Sequence, residues 1–140
     1  MNSNAQSWIA ALRSEHYYQG QDGLQTDDGY CCLGVACDLY RIETGNGEWI
    51  SPEWSGMLPV NKFFTFESNN GLKRDSFTLS TEVQDWLGMR TGDGAIGYGT
   101  DSNGTVQTLT ALNDSGDYSF EQIADIIEEY EEDLFFEEVG

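Results

Sequence analysis

The stretch DGYCCLGVACDLY, residues 28–40, decides how this chain is read. It sets three cysteines in one short apolar run, a pattern open to a metal or redox centre and equally to a packed helix. On a helix, neighbouring residues point about 100° apart, so Cys31 and Cys32 cannot both face one metal. A zinc site needs two closely spaced cysteine pairs, or a pair with histidines. Cys32 and Cys37 are five apart, and His16 is the only histidine in the chain. Free cysteine otherwise behaves as a small buried hydrophobe. Interleaved with Leu33, Val35, Ala36 and Leu39, the three thiols are read as the packing face of a buried helix over Cys31–Tyr40. No metal site is expected. An odd count of three cannot pair completely either, and a reducing cytosol would keep the thiols free.

Upstream, Asn4 or Ser3 can cap a first helix over Ala5–Ser14, with Trp8, Ala11 and Leu12 on one face. The glycine-rich stretch after it, residues 17–29, reads as loop. Downstream, Gly45 and Gly47 stop the cysteine helix. Trp49-Ile50, Phe63–Phe66 and Ser76–Leu79 have strand-forming composition, and Ser68-Asn69-Asn70-Gly71 makes a hairpin turn between the last two. Ser80 caps a short helix carrying Val83, Trp86 and Leu87 that ends at Gly88. Residues 89–104 read as loop, and Val106, Leu109 and Leu112 as one more short helix closing near Asn113. Ser119 and Gln122 form a capping box before an acidic helix expected over about 119–136. The expected architecture is α+β: one domain over 1–140, mainly helical, with a small antiparallel sheet or hairpin.

Charge bounds the partners. Twenty-five acidic residues against six basic ones leave −19 at neutral pH, with Trp8, Trp49, Trp54 and Trp86 present to anchor a core. Such a field repels nucleic acid and anionic membrane and attracts basic protein surfaces. No run approaches the roughly 18 apolar residues of a membrane span, so the chain is expected in a cytosol with no membrane partner.

Catalytic patterns are thin. Gly92-Asp93-Gly94-Ala95-Ile96-Gly97 fits G-x-G-x-x-G, but a helix precedes it where a dinucleotide site needs a strand. Paired carboxylates carry no information in so acidic a chain, and an enzyme is unsupported. Two other groupings hold more. Arg13, Tyr17, Gln19 and Gly20 follow the first helix, and Asn113-Asp114 closes the fourth. They are read either as structural, with Arg13 paired to a carboxylate such as Asp38, Gln19 satisfying loop backbone and Asn113-Asp114 in an Asx turn, or as the lining of a shared ligand pocket. The terminal helix holds seven carboxylates from Glu121 through Asp133, with no base after Arg90. It is read as a solvated face or as a partner-binding face whose charge comes from Glu128, Glu129, Glu131, Glu132 and Asp133, with Tyr130, Phe135 and Phe136 as anchors.

The blocks WIAALRSEHYYQG with Leu24, DGYCCLGVACDLY and LTALNDSGDYSFEQIADIIEE, in this order, resemble those of a family of small tailed-bacteriophage accessory proteins. The resemblance implies expression in a bacterial host cytoplasm and supplies no activity or site residues. His16, Tyr18, Gln21 and Gln25 stand where relatives commonly carry basic residues, a departure that counts against a phosphate grip in that loop. Together these features lead to an expected non-enzymatic protein that binds stoichiometrically. Its expected role is counter-defence or host takeover, engaging a basic surface of a host protein much as a nucleic-acid mimic would. A sponge for a host nucleotide signal, using Arg13, Tyr17, Gln19, Gly20, Asn113 and Asp114, is the alternative, and a small nucleotide-cleaving enzyme a further one. No cofactor is expected.

Overall fold

A computed structural model describes residues 1–21, 23–26, 29–50, 63–68, 73–75, 78–96 and 107–136. The first helix, α1 (Ser3–Arg13), begins earlier than its composition suggests, because Asn2 rather than Asn4 is the cap. Asn2 Oδ1 accepts the Ala5 N–H at 2.8 Å, while the Asn4 amide donates to the Trp86 carbonyl at 2.9 Å. Ala5, Trp8, Ile9 and Leu12 form its buried face.

Residues 32–44 form α2 (Cys32–Thr44), one turn longer than expected and stopped by Gly45 at φ 75°. Its N-terminus is capped by a cysteine: Cys31 Sγ accepts the Gly34 N–H at 3.3 Å. The first turn of α2 lies against the loop backbone at Leu24, whose carbonyl also accepts the Cys31 N–H at 3.1 Å. A Cβ at Gly34 would stand 1.8 Å from that carbonyl oxygen, so only glycine fits there.

Five short strands follow an antiparallel plan: β1 (Gln25–Thr26), β2 (Gly29–Tyr30), β3 (Glu48–Ile50), β4 (Phe63–Ser68) and β5 (Lys73–Asp75). The order is β2-β1-β4-β3, with β5 also on β4, so β4 is the centre of the sheet. The expected hairpin exists, with Ser68 opposite Lys73; its turn, 69–72, lies outside the described residues. The returning strand is described at Lys73–Asp75, ahead of the expected Ser76–Leu79, of which Ser76 and Phe77 lie outside the described residues. Leu79 is buried in the core and Ser80 caps the next helix, so that end of the segment is committed elsewhere.

That helix, α3 (Thr81–Leu87), ends at Gly88 as the sequence implies. The stretch read as loop over 89–104 contains a strand, β6 (Ala95–Ile96), paired with β7 (Gln107–Thr108). Two residues of strand among glycines leave no periodic signal to read. The G-x-G-x-x-G match therefore runs into a strand, not a helix, and Gly97 lies outside the described residues. Thr108 caps α4 (Leu109–Asp114), and the expected Val106 also lies outside.

The expected terminal helix is two helices, α5 (Phe120–Glu129) and α6 (Glu131–Leu134), broken at Tyr130 with φ −105° and ψ 30°. The reciprocal Ser119–Gln122 capping box starts α5 as expected. The break turns Leu134 and Phe135 into the core, where Arg90 N–H donates to Leu134 O at 2.8 Å and Phe136 N–H to Gly88 O at 2.9 Å. A straight helix could not make those bonds. One buried cluster joins the helices and β4, with Trp8, Phe66, Leu33, Ile123 and Leu134 among its largest members. The architecture is α+β, as expected, and no helix among the described residues is long and apolar enough to cross a membrane.

Candidate functional site

Gln19, Gly20, Asn113 and Asp114 do come together, but they occupy one another. Asn113 is fully buried. Its Oδ1 accepts from Gln19 Nε2 at 3.0 Å and from the Cys32 N–H at 3.2 Å, and its Nδ2 donates to Gly20 O at 2.8 Å and Asp114 Oδ1 at 3.3 Å. Gln19 also donates to Tyr118 O at 2.8 Å. Four hydrogen bonds saturate a side-chain amide. The asparagine therefore ties the loop after α1 to the start of α2, Gln19 extends the tie to the segment before α5, and Asn113 presents no polar atom to a ligand.

Arg13 and Tyr17 point elsewhere. Arg13 pairs with carboxylates as the structural reading expects, but not with Asp38: it crosses from α1 to α5, bonding Asp125 at 2.6 Å and Glu128. Those two carboxylates raise the guanidinium pKa, Glu128 most. Asp38, 5% exposed, instead meets Arg41 on its own helix, with Nη2 at 2.8 Å and Nε at 3.1 Å. It also accepts from Tyr17 Oη at 2.8 Å and Trp49 Nε1 at 3.0 Å. Burial, then the bond to Asp38, pushes the Tyr17 hydroxyl well above its usual range, so it stays a donor. Tyr30 sits edge-on between Tyr17 and Trp49, with ring centroids 5.1 and 5.8 Å away. This carboxylate hub clamps the loop and β3 onto α2. Sequence reasoning missed it, although Asp38 and Arg41 stand at i, i+3, the spacing that lets helical side chains meet.

The acidic edge is built by α5 and α6. Arg13 neutralises part of its α5 side, and the amino group of Met1 lies 2.8 Å from Glu131. Glu121, Glu129, Glu132 and Asp133 are exposed and form no salt bridge among the described residues. Residues Glu128 through Asp133 wall a shallow depression of about 320 Å³. The three expected anchors separate. Phe135 is 3% exposed and belongs to the core, so it cannot contact a partner. Phe136 is 57% exposed, with the Arg90 guanidinium 5.1 Å from its ring centre. Arg90 Nε is itself held by the Phe135 and Glu132 carbonyls at 3.0 and 3.2 Å. Tyr130 is half-buried against the core.

All three cysteines are free and buried, in agreement with the packing reading. The capping role of Cys31 was not foreseen, because serine, threonine, asparagine and aspartate usually hold that position. Cys32 Sγ lies 3.7 Å from the Leu109 carbonyl, on the side of α2 that faces α4. Burial pushes the Cys31 thiol up to about 12 and Cys32 well above the ordinary value. The native protein is therefore expected to resist iodoacetamide at pH 7 while the unfolded chain is alkylated at all three thiols, read by mass spectrometry. Rapid modification of the folded protein would contradict this. A thiol pKa raised by folding leaves stability intact below the ordinary value of 9.0 and erodes it as pH climbs toward about 12. Cys31→Ala, which also removes the cap, should cost about 1 kcal/mol in urea unfolding at pH 7.

Over residues 1–131 the chain matches the model of a family described as "Domain of unknown function (DUF8296)", and it belongs to that family. The matched span includes the hydrogen-bond hubs at Asn113 and Asp38 and ends at the first residue of α6. No curated protein and no solved structure matches the chain.

Proposed function

We propose that this member of the DUF8296 family acts without catalysis, by stoichiometric binding to a basic surface of a host protein. In this reading it is a bacteriophage accessory protein of the bacterial cytoplasm, used in counter-defence or host takeover. The phage assignment rests on the resemblance of three sequence blocks. The binding mode rests on one observation, the uncompensated charge of the α5–α6 edge. There Glu121, Glu129, Glu132 and Asp133 face solvent without a salt bridge among the described residues. The three arginines whose side chains are described, Arg13, Arg41 and Arg90, are each held by carboxylates or carbonyls.

A net charge of −19 exceeds the roughly 2–8 that keeps a small domain soluble. Charge of this kind speeds and selects encounters, while a buried aromatic supplies affinity. Phe136, with Tyr130 partly exposed beside the same edge, is the anchor that remains once Phe135 is assigned to the core. The helix break at Tyr130 makes this edge a corner rather than a rod, so imitation of a long phosphate strand loses its geometric basis. The nucleotide-sponge reading has less support, because Asn113 is saturated and Gln19 and Gly20 are bound to it.

Changing Glu129 and Glu132 to Gln and Asp133 to Asn removes three charges and spares the Arg13 and Met1 pairs. The parent chain, used as bait in bacterial lysate at low salt, should retain a basic protein that the variant loses. Proteins and small molecules retained are both identified by mass spectrometry. The same protein held equally by the variant would overturn the acidic edge as the binding face. A nucleotide released from the parent on heating would favour the sponge.

A further inference from the structure

A second surface shares no lining residue with the acidic edge. Between α1 and α2 runs an open groove of about 580 Å³. Ala10, Ala11 and Leu39 give it an apolar floor, and Tyr17, His16 and Glu43 stand along its walls. Ile42, three residues beyond Leu39 on α2, is 58% exposed, one of the few large hydrophobic side chains left in water among the described residues.

Charge selects the occupant. Glu43 is exposed and has no salt bridge among the described residues. The nearby Arg13 and Arg41 are already committed to Asp125, Glu128 and Asp38. A nucleotide or another anion would meet the field of a chain at −19, and so would a second copy of the chain. What fits an apolar floor with a lone carboxylate at its rim is a side chain with an aliphatic stem and a cationic head. The volume is that of a small ligand site and holds more than one such side chain.

We propose that this groove docks a short partner segment in which aliphatic residues alternate with lysine or arginine. The proposal rests on the basic partner inferred above and names the chemistry of its contacting segment.

The test uses the full ¹⁵N-labelled chain and a short peptide alternating leucine and lysine. Peptides with glutamate for lysine, and with serine for leucine, serve as controls. Saturable shifts at the Ala10, Ala11, Leu39 and Glu43 amides are expected with the leucine–lysine peptide alone. The serine–lysine peptide should shift only the α5–α6 amides. Glu43→Lys, at an exposed position, should weaken the groove response about tenfold and leave the α5–α6 response unchanged. Ala10→Phe should fill the floor with the same result, and Glu43→Lys carries the test if that variant does not fold. Groove shifts unaffected by Glu43→Lys, or leucine–lysine shifts confined to α5–α6, would overturn the proposal while leaving the acidic-edge reading standing. Groove shifts that persist while the serine–lysine peptide leaves α5–α6 unmoved would instead count against the acidic edge.

Discussion

Replacing Gly34 by alanine is expected to cost about 3 kcal/mol or more of folding stability, at the upper end of what overpacking does. Alanine ordinarily improves a helix interior by about 1 kcal/mol over glycine, so propensity alone gives the opposite sign. The overlap decides it. The added carbon would stand 1.8 Å from the Leu24 carbonyl oxygen and 2.7 Å from its carbon. Both are backbone atoms, which cannot swing aside as a side chain can. That carbonyl also accepts the Cys31 N–H, so displacing it breaks a bond at the very start of α2. Gly45 is the control: it caps the other end of α2 at φ 75° with nothing within 4 Å, and its alanine variant should lose only about 1 kcal/mol. Urea midpoints of the two variants measure the contrast. A Gly34→Ala midpoint equal to or above the parent's would show that the loop does not press on α2 as described.

Asn113→Ala should cost about 3 kcal/mol through unsatisfied groups rather than through volume. It strands the buried Cys32 N–H and Gly20 carbonyl, each losing a partner held at 3.2 Å or less, and takes one of the two acceptors from the Gln19 amide. The two readings of this residue give different results. A pocket residue would leave a stable fold that has lost its ligand. A structural residue leaves a destabilised fold, visible as a lowered urea midpoint and faster amide exchange across 18–33 and 113–120. A variant as stable as the parent would return Asn113 to the list of candidate ligand contacts.

The fold was legible where local chemistry acts alone. The Ser119–Gln122 capping box, the Ser80 and Gly88 bounds of α3 and the buried cysteine helix all follow from side chains within a turn of each other. What the sequence could not give was direction. Arg13 and Arg41 are both basic residues near helix ends; the i, i+3 spacing of Asp38 and Arg41 permits the second pair, but nothing local says that α5 takes the first. Phe135 and Phe136 are neighbours of one type, yet the break at Tyr130 buries one and exposes the other. Strands as short as β6 and β7 carry too few residues for alternation to show. Among the candidate sites, grouping was foreseen for Gln19, Gly20, Asn113 and Asp114, but whether a polar group faces a ligand or its own neighbours is set by packing.

The acidic edge itself is best tested by kinetics. With the basic host protein captured by the parent chain, association and dissociation rates are measured from low salt to several times physiological ionic strength. Attraction between exposed charges is screened over about 8 Å at physiological salt, and such charges act mainly on encounter. The expected result is an association rate that falls steeply with salt for the parent and little for the Glu129→Gln, Glu132→Gln, Asp133→Asn variant, with dissociation nearly unchanged. Equal salt dependence in parent and variant would contradict binding through α5–α6.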